Sequence, residues 1–175
     1  LAGNSRRLFF ALWPDATVRR ELAALQTLLP QTQGNWVHGD DLHMTLQFLG
    51  SVAAKQQHCI SKAADRTSGD SFVMSITHLD YWAGPGIVWA GLEELPQALS
   101  ALVSDLGGHL ENCGLRRERR AYRPHVTLLR KAPPSGMIRL ETPIIWEVDH
   151  FVLVESRPGG HPPWYRVLES WPLDQ

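Results

Sequence analysis

Two short apolar segments carry the same pattern, His-x-Thr-Leu: His43, Thr45 and Leu46, then His125, Thr127 and Leu128. They stand 82 positions apart (125 minus 43), close to half the chain. In an extended strand, side chains alternate between the two faces. His43 and Thr45 then share one face, and Leu42, Met44, Leu46 and Phe48 take the other. His125 and Thr127 share a face opposed by Val126 and Leu128. Each segment therefore needs an apolar core on one side and partners for an imidazole and a hydroxyl on the other, because unpaired burial of such groups is costly. If both polar faces look into one cleft, they make a site of two imidazoles and two hydroxyls.

The rest of the chain supplies elements around these strands. Residues 6–14 form an apolar run stopped by Pro14, which reads as a buried strand. Asp15 caps a helix with Val18, Leu22, Leu25, Leu28 and Leu29 on one face. Residues 42–50 read as a strand and 53–66 as a helix. Residues 71–83 and 86–92 read as strands joined by a turn, and 96–112 as a helix weakened at Gly107 and Gly108. The second motif lies on a strand at 124–131. Residues 144–156 form one long or two short strands, and 164–173 the last. Hairpin-like neighbours outnumber βαβ units, which favours α+β over a doubly wound parallel sheet.

The 175 residues suffice for one domain spanning the chain, with residues 1–5 as a loose end. The formal net charge of −1 excludes a polybasic nucleic-acid coat, so any RNA contact requires a local basic patch. No apolar run approaches the roughly 18 residues of a membrane span, and the first residues lack a leader pattern. The two cysteines, Cys59 and Cys113, allow one bridge at most, and a reducing compartment is the simpler reading. The expected location is the cytoplasm, with no membrane and no obligate protein partner.

Histidine titrates near neutral pH, so two imidazoles suit paired acid and base work. Two hydroxyls can donate to the non-bridging oxygens of a phosphate, whose chemistry depends on positioning and charge stabilisation. A single His-x-Thr on a strand reads as an ordinary hydrogen-bonded pair; two in matching contexts point to a shared site. A metal site competes, but catalytic zinc usually takes a third protein ligand, and no His-x-x-x-His or Cys-x-x-Cys spacing supplies one. A phosphate-binding glycine loop and a nucleotidyl-transfer lysine motif are both missing from the sequence. Residues 116–123 hold five arginines in eight positions and lead straight into the second motif. Such a run is usually a solvated loop, yet at a cleft it attracts a polyanion. Arg120 and Arg123 are candidate RNA contacts, and Tyr122 and Phe48 candidate base contacts. Arg130 is a candidate phosphate ligand only if its strand ends or bulges, because its parity opposes that of His125. Gln47 shares parity with His43 and is expected to shape the pocket.

With "RLFFALWP", "LHMTLQFLG" and "YRPHVTLLRK", nearly the whole chain resembles the two-histidine phosphoesterase superfamily, and within it the bacterial RNA 2′,3′-cyclic phosphodiesterases, also called 2′-5′ RNA ligases. The resemblance implies a two-lobed, pseudo-twofold-symmetric α+β fold, with antiparallel sheets lining a central cleft and helices outside. It implies an enzyme that uses no metal or other cofactor and opens 2′,3′-cyclic phosphate RNA ends to 2′-phosphates; a monomer is expected. Some relatives join 2′-5′ ends reversibly. His43 would donate a proton to O3′, His125 would accept one from water, and Thr45 and Thr127 would hold the phosphate with Arg130. A non-catalytic module that binds RNA ends, and a metal-dependent phosphohydrolase, are the alternatives.

Overall fold

The computed structural model describes residues 4–31 and 33–175. In chain order the elements are β1 (Ser5–Leu12), α1 (Ala16–Leu25), β2 (Asn35–Trp36), β3 (Met44–Ala53), α2 (Ala54–Arg66), β4 (Phe72–Trp82), β5 (Ile87–Leu92), α3 (Gln97–Glu111), β6 (His125–Arg130), β7 (Ile138–Val148), β8 (His150–Ser156) and β9 (Tyr165–Pro172). Of the loose end expected at 1–5, residues 1–3 lie outside the described residues, and Ser5 already opens β1. The fold is α+β. Nine strands form one sheet in the order β7-β4-β5-β6-β3-β1-β8-β9, with β2 a short addition beside β6.

This order has a centre. Four strands lie on each side of the junction between β3 and β6, the two strands that carry the motifs. Across the junction the ladder is reduced to one antiparallel pair, Met44 with Val126. Elsewhere the ladders are long: β1 pairs with β3 over eight positions and β4 with β7 over seven. The half-sheets therefore meet at a seam. The hairpin β8–β9 pairs back onto β1, so late residues complete the half that holds His43.

The main core fills one face of the sheet beneath the helices. Leu8, Phe10 and Leu12 of β1 enter it with Val18, Leu22 and Leu25 of α1, Ile60 of α2, and Leu99, Leu102, Leu106 and Leu110 of α3. Asp15 caps α1 as expected, accepting from the Val18 amide at 2.8 Å. The expected helical face ends early. A 3-10 turn over Gln26–Leu28 turns Leu28 outward, where it is 52% exposed, and Leu29 returns to the core. β7 starts at Ile138, earlier than the expected 144, and runs through Pro143. The sheet tolerates this proline because β7 is an edge strand.

Gly107 and Gly108 do not break α3. A Cβ on Gly107 would lie 3.3 Å from both Arg117 Nε and Gln47 Oε1, and one on Gly108 would lie 2.9 Å from an Arg117 terminal nitrogen. The two glycines make room for side chains packed against the helix. The expectation of reduced cysteines is corrected: Cys59 on α2 and Cys113 just after α3 are joined by a disulfide. No helix among the described residues is long and apolar enough to cross a membrane.

Candidate active site

Both motifs share a feature that strict alternation hides. Along β3, Ala11 pairs with Thr45 and Phe10 with Gln47, which leaves Leu46 as an extra residue. Along β6, Trp89 pairs with Thr127 and Val88 with Leu129, which leaves Leu128 as the extra residue. The leucine of each His-x-Thr-Leu is thus a β-bulge. Leu46 is 4% exposed, Leu128 0% and Leu129 2%. Each leucine buried this way contributes about 2 kcal/mol, enough to favour a register that places both in the core.

The bulges reverse the parity of the residues after them. Gln47, expected in the pocket, turns to the core face, where it is 9% exposed against Gly107 and its Nε2 lacks a partner among the described residues. Phe48, expected on the apolar face, emerges on the cleft side at 71% exposure, with its ring 6.0 Å from that of Phe9. Arg130 likewise moves to the face of His125 and Thr127, and its charge acts on both His43 and His125. The bulge that Arg130 required is present.

Each imidazole is held by the carbonyl two residues before it. His43 Nδ1 lies 2.6 Å from the Asp41 carbonyl oxygen, and His125 Nδ1 lies 2.7 Å from that of Arg123. A carbonyl only accepts, so Nδ1 is the protonated nitrogen in both rings and Nε2 is left for chemistry. His43 Nε2 accepts from the Thr45 hydroxyl at 3.1 Å. Trp13 stacks on His43 with centroids 5.5 Å apart and planes 15° apart, Phe9 lies at 4.9 Å, and Tyr165 meets it edge-on at 5.1 Å. Burial among these rings pushes the His43 pKa down to about 4. The Asp41 carbonyl opposes the shift, and the charges of Arg130 and His125 add to it.

His125 has its own aromatic wall. Trp82 meets it edge-on at 4.5 Å, and Trp89 stands at 6.3 Å. Gly91 is directly opposite His125 in register, and a Cβ there would fall 2.3 Å from Trp89 Cζ3. Only a residue without a side chain leaves room for that indole. Burial also lowers the His125 pKa, with the carbonyl of Arg123 opposing and the charges of Arg130 and Arg123 reinforcing.

The arginine run divides. Arg123 places its guanidinium 5.3 Å from the Trp82 ring centroid. Arg117 folds back to donate to the Ser104 carbonyl at 3.1 Å. Arg120 is exposed, and its amide donates to Glu118. Tyr122, expected to offer a stacking face, packs against the core and donates its hydroxyl to the Thr45 carbonyl at 2.9 Å. It braces one motif strand against the other, and burial raises its pKa. Strand alternation puts Thr127 beside His125 on the cleft face. The sequence reading missed Trp82, Trp89, Tyr165 and the carboxylate of Asp41. Their signal is weak, since each reads as an ordinary strand or turn residue until the sheet order is known.

Fold and register together give an α+β protein whose two His-x-Thr strands lie side by side, with His43, Thr45, His125 and Thr127 on one face of the sheet. The chain belongs to the 2′-5′ RNA ligase superfamily, which it matches over residues 13–160. It is 31% identical over 179 residues to the RNA 2′,3′-cyclic phosphodiesterase of Escherichia coli K12, covering 97% of this chain and 98% of that one. A protein of the same name from Thermotoga maritima is 28% identical, covering 93% and 92%. A crystal structure of E. coli LigT complexed with 3′-AMP superposes with a TM-score of 0.90 at 29% identity, over 98% of this chain and all of that one.

Proposed function

We propose that the protein is an RNA 2′,3′-cyclic phosphodiesterase that opens the cyclic phosphate to a 2′-phosphate. The observation that carries this reading is the pair of imidazoles, each fixed through Nδ1 and each under the charge of Arg130. Water attacks phosphorus while His125 Nε2 takes its proton. The P–O3′ bond breaks, and His43 Nε2 delivers a proton to the leaving O3′. Thr45 and Thr127 donate to the non-bridging oxygens, and Arg130 offsets the charge that builds there. With a 5′-hydroxyl in place of water the same roles join two ends through a 2′-5′ linkage, and the two histidines exchange roles when the 3′-hydroxyl attacks that linkage and expels the 5′-oxygen. Phe48 offers its exposed ring to a base, and Arg123 and Arg120 line the approach of the RNA. The names of the E. coli and T. maritima relatives support this substrate class.

Both rings are driven towards neutrality in the free protein. An anionic phosphodiester between them favours the imidazolium, so substrate recruits the proton the reaction needs. The reading extends to one domain acting as a monomer in the cytoplasm, without a metal. The test is a defined RNA ending in a 2′,3′-cyclic phosphate, incubated with a chelator. A 2′-monophosphate is expected, and its formation should collapse in His43→Ala and His125→Ala. A 3′-monophosphate, or full activity in either variant, overturns the reading.

A further inference from the structure

The two halves of the site differ at the residue two before each histidine. On the β6 side it is Arg123, exposed over Trp82. On the β3 side it is Asp41, only 1% exposed. A buried carboxylate requires strong partners. Asp41 has two, both backbone amides from a segment more than 120 residues away: Trp164 donates to Oδ2 at 2.9 Å and Tyr165 to Oδ1 at 3.1 Å. Charge-assisted bonds of this kind are the stronger class of hydrogen bond. The same residue's carbonyl accepts from His43 Nδ1.

We infer that Asp41 is a positioning residue, which locks His43 with its carbonyl and, with its carboxylate, the connection between β8 and β9 that walls His43 in. The geometry explains how. Tyr165 opens β9, and its amide is one of the two held. Its ring stands edge-on to both His43, at 5.1 Å, and Phe9, at 5.2 Å. Those rings and Trp13 form a box around the imidazole. With the amides released, the start of β9 can withdraw, the tyrosine leaves the box, and water reaches the ring.

The charged and titratable groups around His43 are few. β6 contributes Arg130 and His125, β9 contributes Tyr165, and Arg19 of α1 lies beyond Trp13 at 5.9 Å from its ring centroid. Asp41 itself sits on the approach to β3, with its carboxylate taken by the two amides. The leading influence on His43 is burial, so opening the box moves its titration upward, from about 4 towards the ordinary 6.5.

The inference is tested on His43 directly, and it rests on the phosphodiesterase reading only for its kinetic consequence. Imidazole NMR titration of the full chain should show His43 shifted upward by about tenfold or more in its proton equilibrium in Asp41→Ala, and by less in Asp41→Asn, which keeps one acceptor. Tyr165→Ala leaves the clamp intact and removes the wall, and should reproduce the shift. In the unmodified protein, hydrogen exchange should find the Trp164 and Tyr165 amides strongly protected. If Asp41→Asn folds and is merely less stable, with His43 titrating as before, the inference fails. It also fails if those two amides exchange like an open loop. Loss of RNA turnover with the His43 shift present counts against the proposed reaction instead.

Discussion

Removing His43 should make the protein less sensitive to acid. The ring's pKa is about 4 in the fold and 6.5 in an unfolded chain. Above pH 6.5 both states are neutral there and the residue contributes no pH dependence. As pH falls through 6.5, the unfolded chain takes a proton that the folded ring refuses, so stability drops until pH 4. At pH 4.5 the unfolded imidazole is about 99% protonated and the folded one mostly neutral, a difference of ~2.5 kcal/mol relative to pH 7.5. The ring keeps an exposed edge, so water makes this value a ceiling. His43→Asn keeps a small polar side chain and removes the titration. Urea unfolding of both proteins at pH 7.5 and 4.5 gives two differences in stability, and subtracting one from the other cancels the remaining ionisable groups. The variant should gain on the parent by about 2 kcal/mol between the two conditions. An unchanged gap would refute the placement of His43 in a water-poor aromatic box.

With both histidines shifted below 6.5, the productive state needs one proton on a pair that is neutral above that pH. kcat/KM should therefore fall about tenfold from pH 7 to pH 8, and a flat profile would contradict the acid–base pair. The disulfide closes a separation of 54 residues, which corresponds to about 4 kcal/mol in the chain-entropy account. Reductant should lower the urea midpoint and leave turnover intact, whereas an unmoved midpoint would mean that the bond constrains nothing. Gly91→Ala should cost ~1–3 kcal/mol and alter tryptophan fluorescence, because the new methyl group meets the Trp89 ring. Full stability with an unaltered spectrum would show that Trp89 does not lie over that position.

The strands and helices were legible because they rest on local periodicity, and the shared face of each histidine and its threonine follows from the same alternation. Phe48, Gln47 and Arg130 were not. Their orientation depends on whether a leucine is counted within the alternation or bulged out of it. Nothing in Thr-Leu-Gln or Thr-Leu-Leu marks that choice; burial of the leucines against α3 and the rest of the core decides it. The arginine run divides for a related reason. Arg117 finds its partners on α3, a helix whose paired glycines looked like a flaw until the guanidinium was seen beside them. Asp41 has no signal in the sequence, since its partners at 164 and 165 come near only when β8 and β9 complete the half-sheet. The disulfide joins elements whose proximity no spacing announces.

The β8–β9 hairpin also sets an order in time. A ribosome that has released both His-x-Thr strands has made every residue assigned to acid, base and phosphate contact. His43 still lacks Tyr165, which closes one side of its box, and Asp41 has neither of its amides. In a partial fold that lacks β9 the imidazole is without one wall of its box. The residues proposed for acid and base work thus precede in the chain the residue that closes the wall around one of them.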